Sequence, residues 1–515
     1  MDRKVLPIGI QSFRKIRTDN YYYVDKTSHV LRLAQGGTYY FLSRPRRFGK
    51  SLLVDTLAEL FSGSKELFEG LYCYDRWDWE TVYPVIRFSF SARTLSVDWL
   101  DQRIGELLAD NEQRLGLPAG SGTAAGRFTA LIRNAAEKYG QQVVVLVDEY
   151  DKPILDSIAD ADVARAVRDR LSSLYGPLKE EDAHLRFVFL TGVSKFSKVN
   201  IFSGLNNLED ITLTSLQSAV CGYTEADLDE VFAPELAGLD REKIRTWYNG
   251  YSWTGESVYN PFDLLLLFKN RQFKSYWFET GTPTFLVDIL TQQHFYLPDL
   301  TRVEANDTLL SSMDVGNIAP EALLFQSGYL TIGQTIDVGD EIRYRLQFPN
   351  REVRGSLTGA LLRAISPAPG AVFKQTGRLP ALLEAADTAG LEDLFRVHFA
   401  SIPHDWYRKN PLADYEGYYA SVFYAYFASL GYDVVPEDTS SQGRLDMAVR
   451  LPDAVWLFEF KIVDDEPDGS ALRQIKDRGY ADKYRGDGRP VHLVGVEFSK
   501  ARRNVVALDA ETVAV

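Results

Sequence analysis

Between Gln142 and Tyr150 the chain reads Val-Val-Val-Leu-Val-Asp-Glu. Five apolar residues in a row, mostly β-branched, leave no polar face for water. Such a strand must be covered on both sides, as the central strands of parallel sheets are. It therefore predicts an α/β architecture, a parallel sheet with helices on both faces, and it delivers Asp148 and Glu149 at its carboxyl edge. Residues 38–43, 84–90 and 187–191 read as further strands, and Ser51–Phe61 has helical apolar spacing with Gly63 as a stop. From about 222 to 400 the pattern is mainly helical, with a small strand pair at Tyr329–Ile332 and Ile342–Phe348. The last stretch returns to mixed α/β: a helix over Tyr415–Leu430, strands near 444–451 and 454–463, and a helix near 470–484. With 515 residues and roughly 150 per domain, we divide the chain into 1–212, a helical lid and connector over 213–400, and 401–515.

Composition narrows the function classes. The two cysteines, Cys73 and Cys221, cannot build a disulfide framework or a structural zinc site. The six histidines include no HExxH pair. No apolar run is long enough to span a bilayer and the N-terminus has no signal-peptide stretch, so a cytoplasmic, reduced protein without membrane contact is expected. A net charge of −14 argues against coating nucleic acid non-specifically, though not against a local basic groove.

Residues 44–51, Arg-Pro-Arg-Arg-Phe-Gly-Lys-Ser, lie between a strand and an amphipathic helix. A bound triphosphate needs inward N–H groups, a helix N-terminus, a lysine and a metal-binding hydroxyl. Gly49, Lys50 and Ser51 supply the end of the GxxxxGK[ST] pattern, while Arg44 stands where its first glycine would be. With the acidic strand as partner, Ser51 and Asp148 would hold Mg²⁺ and Glu149 would polarise the attacking water. Arg46, Arg47 and Phe48 complete the ATP-binding loop. Thr191, or else Ser194, at the end of the next strand could sense the γ-phosphate. Arg46 and Arg47 are arginine-finger candidates only by proximity.

A second constellation lies in Gly443–Val463. If Pro452-Asp453 forms a two-residue turn, Leu451 pairs with Ala454 and Asp446 lies opposite Glu459, on the face that also carries Lys461. Two adjacent carboxylates repel unless a cation sits between them. Asp followed by Glu-x-Lys on neighbouring strands is the layout of a metal-dependent phosphodiesterase: the carboxylates hold Mg²⁺, with Mn²⁺ as a substitute, and the lysine stabilises charge. The competing reading is an ordinary hairpin whose solvent face carries a Glu–Lys pair. Arg473, Lys476, Arg478, Lys483 and Arg485 follow directly, as a basic helix or merely a solvated one.

RPRRFGKSLL, VVVLVDEYDKPIL and FLTGVSKFSKVNIFSGLNNLEDIT resemble the AAA-ATPase-like family, as do PIGIQSFRKIRTDNYYYVDKT, WYNGYSW, YNPFDLL, LLFQSGYLTI and LQFPNREVR. The resemblance implies a P-loop NTPase fold, ATP binding and hydrolysis, and makes Arg44 a family trait. The C-terminal segment resembles the PD-(D/E)XK nuclease superfamily, which implies a restriction-endonuclease-like fold acting on nucleic acid, DNA ahead of RNA. It makes Asp446, Glu459 and Lys461 the catalytic set of that segment, beside Glu149 at the ATP site, with Glu416, Gln474 and Tyr480 as accessory residues. Two functions remain in view: an ATPase coupled to a Mg²⁺-dependent nuclease, or a nucleotide-dependent switch that binds nucleic acid or a protein partner without cutting. Assembly as a homo-oligomer stays open.

Overall fold

The computed structural model describes residues 3–513 apart from 95, 196–206, 279–285, 288, 291–295, 312, 315–316, 366–368, 403–415, 441 and 485. Contacts divide the chain into two compact units. Unit 1 comprises Met1–Gly281 and Glu304–Asn350, and unit 2 comprises Thr282–Val303 and Arg351–Val515. The stretch read as one connector is thus shared. Residues 213–281 and 304–350 go with the N-terminal unit, and 351–400 with the C-terminal one.

Unit 1 is built on a five-stranded sheet of β1 (Tyr39–Ser43), β2 (Val85–Ser89), β3 (Val143–Asp148), β4 (Leu185–Gly192) and β5 (Glu209–Asp210), in the order β2-β3-β4-β1-β5. Every pairing is parallel. β1 and β3 are buried throughout, as their apolar sequences require. β4 lies between them, with Leu42 opposite Thr191 and Val147 opposite Leu190. The loop after β1 and the carboxylates at the end of β3, Asp148 and Glu149, therefore emerge at one edge of the sheet. Helices from 225 to 270 pack on the N-terminal segment, where Tyr22 and Val24 share a core with Leu228, Phe232, Ile244 and Tyr259. A three-stranded antiparallel sheet, β6 (Glu304–Asn306), β9 (Thr331–Val338) and β10 (Glu341–Gln347), contains the foreseen strand pair. β9 starts later than expected because the Tyr329 and Leu330 N–H groups both donate to the Leu324 carbonyl of the preceding helix. β7 (Met313–Asp314) and β8 (Asn317–Ile318) form a short separate ribbon.

The Asn249-Gly250-Tyr251 turn has a steric reason for its glycine. Gly250 has φ +109°, and a Cβ there would sit 1.9 Å from the Pro349 carbonyl oxygen. Both the left-handed backbone and the backbone clash penalise a side chain. Gly250→Ala should cost at least about 2 kcal/mol and lower the thermal midpoint by several degrees. Gly105→Ala, in the Val97–Arg114 helix with open space around it, should hold or raise it. Equal melting of the two variants would remove the close approach.

Unit 2 is built on a mixed sheet of β11 (Asp433–Ser440), β12 (Gly443–Arg450), β13 (Val455–Val463), β14 (Val491–Ser499) and β15 (Asn504–Val513), paired in that order. β13 and β14 are parallel and the other neighbours antiparallel. The Glu416–Ser429 helix lays aromatic rings on one face, Phe423 on Phe460 and Phe427 on Phe458. The opposite face is covered by the Ser470–Asp477 helix through Ile475. The long helix expected over 470–484 is broken at Gly479, φ +57°, after which Tyr480–Tyr484 forms a 3₁₀ turn. Among the described residues no helix is long and apolar enough to cross a membrane.

Candidate functional site

Gly49, with φ +97°, caps the Lys50–Phe61 helix and supplies no side-chain hydrogen bond to it. The first-turn N–H groups of that helix are thus not satisfied by a cap, the condition that suits an anion. A cavity of about 440 Å³ opens over this helix start. Arg46 through Ser51 line it, as do Glu149, the N-terminal segment around Ile10 and Tyr23, and Phe262 from the helical part. Burial lowers the Lys50 pKa, opposed by Asp148 and Glu149. Its Nζ donates to the Arg44 and Pro45 carbonyls at 2.9 Å each.

Arg44 does not point into the cavity. Its guanidinium is fully buried, donates to the Ser43, Thr212 and Gln217 carbonyls, and lies 4.0 Å from the Trp253 ring centroid. Its backbone has none of the positive φ that would demand glycine. The arginine thus ties the loop base to residues 212–217 and leaves the phosphate side to its neighbours. Phe48 packs edge-on against Tyr251 and Trp253, and the Trp277 indole donates to the Arg46 carbonyl at 3.1 Å. Tyr251, Trp253 and Trp277 are thus buttresses of this loop. Arg47 lies over the Phe262 ring at 4.5 Å with φ +70°.

Burial raises the Asp148 pKa, partly offset by a hydrogen bond from Ser51. Asp148 Oδ1 is buried without a hydrogen-bond partner. A carboxylate oxygen desolvated beside a hydroxyl fits a hard divalent cation, which takes oxygen donors and keeps waters and phosphates for the rest. Glu149 lines the cavity with φ +55°, and burial and then Asp148 raise its pKa. Thr191 is not brought to the cavity: its hydroxyl donates to the Leu42 carbonyl at 2.8 Å inside the sheet. A threonine on a strand sandwiched between two others finds a neighbouring carbonyl before it finds a ligand. Ser194, the alternative, is bound by Asp151 at 2.5 Å. Asp151 itself escaped the sequence reading, because its partners lie some forty positions later.

In unit 2 the hairpin closes through Leu451, whose N–H donates to Ala454 O at 2.8 Å, and the ladder runs to Met447 opposite Phe458. Asp446 follows that last rung and accepts the Phe460 N–H at 2.7 Å. Glu459 is 1% exposed, so this is no solvent-facing Glu–Lys pair. Burial first, and then Asp446, raises its pKa to about 7, opposed by Lys461. Lys461 Nζ is 3.3 Å from Glu459 Oε1, and the Gln474 amide donates to the same oxygen. Glu459 Oε2 is buried without a hydrogen-bond partner. Asp446, Glu459, Lys461 and Gln474 are thus brought together. Tyr480 is not: it is core, and its hydroxyl donates to the Arg444 carbonyl at 2.9 Å. Glu416 opens its helix, but its side chain lies outside the described residues. No group of three or more His, Cys, Asp or Glu side chains converges among the described residues.

The basic residues expected to form a patch are largely engaged within the chain. Lys476 pairs with Glu511 at 2.6 Å, Lys483 pairs with Asp438, and Arg473 and Arg478 donate to backbone carbonyls. Arg485 lies outside the described residues.

Residues 7–202 match the family described as Predicted AAA-ATPase, and residues 414–508 match the PD-(D/E)XK nuclease superfamily. The chain thus carries an N-terminal AAA-ATPase-like domain and a C-terminal PD-(D/E)XK nuclease superfamily domain. It is also 59% identical over 514 residues to the "Uncharacterized protein in vnfD 5'region" of Azotobacter chroococcum mcd 1, covering 99% of this chain and 100% of that one.

Proposed function

We propose that the chain is an ATPase and a metal-dependent nuclease, each activity resting on one of the two sites. The observation that carries this is shared by both: a buried carboxylate with one unpartnered oxygen, Asp148 Oδ1 in unit 1 and Glu459 Oε2 in unit 2. Leaving such an oxygen dry and unpaired is costly in a purely structural role. In unit 1, Lys50 and the helix start would bind the triphosphate of ATP, Ser51 and Asp148 would hold Mg²⁺, and Glu149 would orient water. In unit 2, Asp446 and Glu459 would hold Mg²⁺ or Mn²⁺ beside the scissile phosphate, and Lys461 would stabilise the charge that develops there. The bound cation would supply Lewis-acid polarisation of the phosphodiester. Nucleic acid is the substrate class, DNA ahead of RNA.

The switch reading is favoured by a different observation, the pairing of Lys476 and Lys483 with the chain's own carboxylates. Incubating the full chain with Mg²⁺ or Mn²⁺ on DNA and RNA, with and without ATP, separates the two. Metal-dependent cleavage is expected, and it should vanish in Asp446→Ala and Lys461→Ala. Cleavage that survives in those variants defeats the nuclease assignment. ATP turnover without any cleavage leaves the switch.

A further inference from the structure

The turn after β3 is fixed to the end of β4 by an unusual set of contacts. Asp151 is 1% exposed. Its Oδ2 accepts the Val193 N–H at 3.1 Å, the Ser194 N–H at 2.6 Å and the Ser194 hydroxyl at 2.5 Å. Gly192 lets that carboxylate approach: a Cβ on it would lie 2.3 Å from Asp151 Oδ1 and 2.7 Å from Tyr150 Cδ1. Tyr150 adds two bonds across the same seam, its N–H to the Thr191 carbonyl at 3.1 Å and its hydroxyl to the Ser194 carbonyl at 2.8 Å. The residue just before this seam is Glu149, whose left-handed φ of +55° is uncommon for a residue other than glycine, asparagine or aspartate. Backbone of that kind persists only where its neighbours over-determine it. Here two consecutive residues, Tyr150 and Asp151, do so.

We infer that Asp151 is a positioning residue of the ATP site, clamping the turn onto β4 so that Glu149 is presented to the cavity in one orientation. This rests on the ATPase reading, in which Glu149 acts on the attacking water. Asp151 also borders the cavity, but its carboxylate oxygens are taken up by the Val193 and Ser194 donors. Its contribution passes through Glu149. Neutral N–H and O–H donors hold its charge, and the Val193 N–H also reaches Oδ1 at 3.2 Å. Asp151→Asn therefore keeps the shape but, even with its oxygen in the Oδ2 position, turns an amide NH₂ toward that N–H and removes the charge the donors hold. A shift of about 1 Å in a catalytic group can cost roughly a hundredfold in rate.

The test is a double-mutant cycle on the full chain, reading kcat for ATP hydrolysis and the Kd of a non-hydrolysable ATP analogue with Mg²⁺. Wild type, Glu149→Gln, Asp151→Asn and the double variant are compared. Asp151→Asn should lower kcat by about 30-fold or more, with the Kd within threefold of wild type. In the Glu149→Gln background the same change should alter kcat by less than about threefold, because the group it positions is already gone. Gly192→Ala, which pushes on the Asp151 carboxylate from the other side, should show the same dependence on Glu149 if Asp151→Asn does not fold. Full-sized losses in both backgrounds, an unchanged kcat, or a Kd that weakens in step with kcat would each overturn the role. The Glu149→Gln arm reports separately on the ATPase reading: a wild type without turnover, or a Glu149→Gln rate equal to wild type, takes down both.

Discussion

Replacing Lys50 by alanine is expected to weaken Mg²⁺·ATP binding by at least about a hundredfold. Lys50 is 7% exposed, and its ammonium sits against the Arg44 and Pro45 carbonyls, 2.9 Å from each. Nucleotide binding would exchange those two neutral acceptors for phosphate oxygens. Charge-assisted hydrogen bonds of that type contribute about 1.5–3 kcal/mol each, and about 2.7 kcal/mol corresponds to a hundredfold in Kd. Lys50→Ala also leaves a cavity and two carbonyls without their donor, so folding must be watched separately. Lys50→Met keeps the volume without the charge and should lose affinity to the same extent. Titration calorimetry with Mg²⁺·ATP on both variants, beside their thermal midpoints, checks this. A Kd within threefold of wild type in Lys50→Met would mean that the loop does not grip the triphosphate.

What could be read from sequence was local, and what could not be read was brought from far away. The all-apolar β3 and the strand–loop–helix around Gly49 announce themselves because burial and φ demands act on neighbouring residues. The hairpin register from Arg450 opposite Val455 to Met447 opposite Phe458 followed from a two-residue tip, by counting. The side chain of Arg44 was illegible: its partners are Thr212, Gln217 and Trp253. Thr191 stood at the right strand end, but sequence could not tell that β4 lies between β1 and β3, where the hydroxyl is spent on Leu42. Tyr480 misled for the reverse reason, a polar tip on a mostly apolar ring that is as suited to a core as to a phosphate. β14 was missed because Gly495 interrupts its apolar run. A Cβ there would meet the Leu472 backbone N at 2.2 Å, so the glycine marks the close docking of the helix that carries Gln474. Gln474 itself was foreseen as an accessory residue, but its bond to Glu459 could not be, since it depends on that docking.

Glu459→Gln should abolish cleavage while leaving the metal-free fold as stable as before, or more so. Desolvation and the neighbouring Asp446 hold the Glu459 carboxyl up at about 7, well above its ordinary 4.5. The sign follows: the folded state binds this proton more tightly than the unfolded state. Its stabilising effect is therefore present below the ordinary value and is lost as pH rises through about 7. At pH 8 the metal-free chain carries a buried charge that Lys461 and Gln474 only partly compensate. Glutamine removes that charge at constant volume, so its thermal midpoint at pH 8 should match or exceed wild type, and the pH dependence between about 4.5 and 7 should flatten. Function should move the other way, because a neutral amide is a poor ligand for a hard cation. A loss of roughly 10³-fold or more in Mg²⁺-dependent cleavage is expected if the carboxylate holds the ion that stabilises the developing charge. A residue whose removal stabilises the fold and destroys the activity is one kept for chemistry. Circular-dichroism melts from pH 5 to 8 beside cleavage rates decide it. A variant that melts well below wild type at pH 8 yet still cuts would make Glu459 an ordinary structural acid.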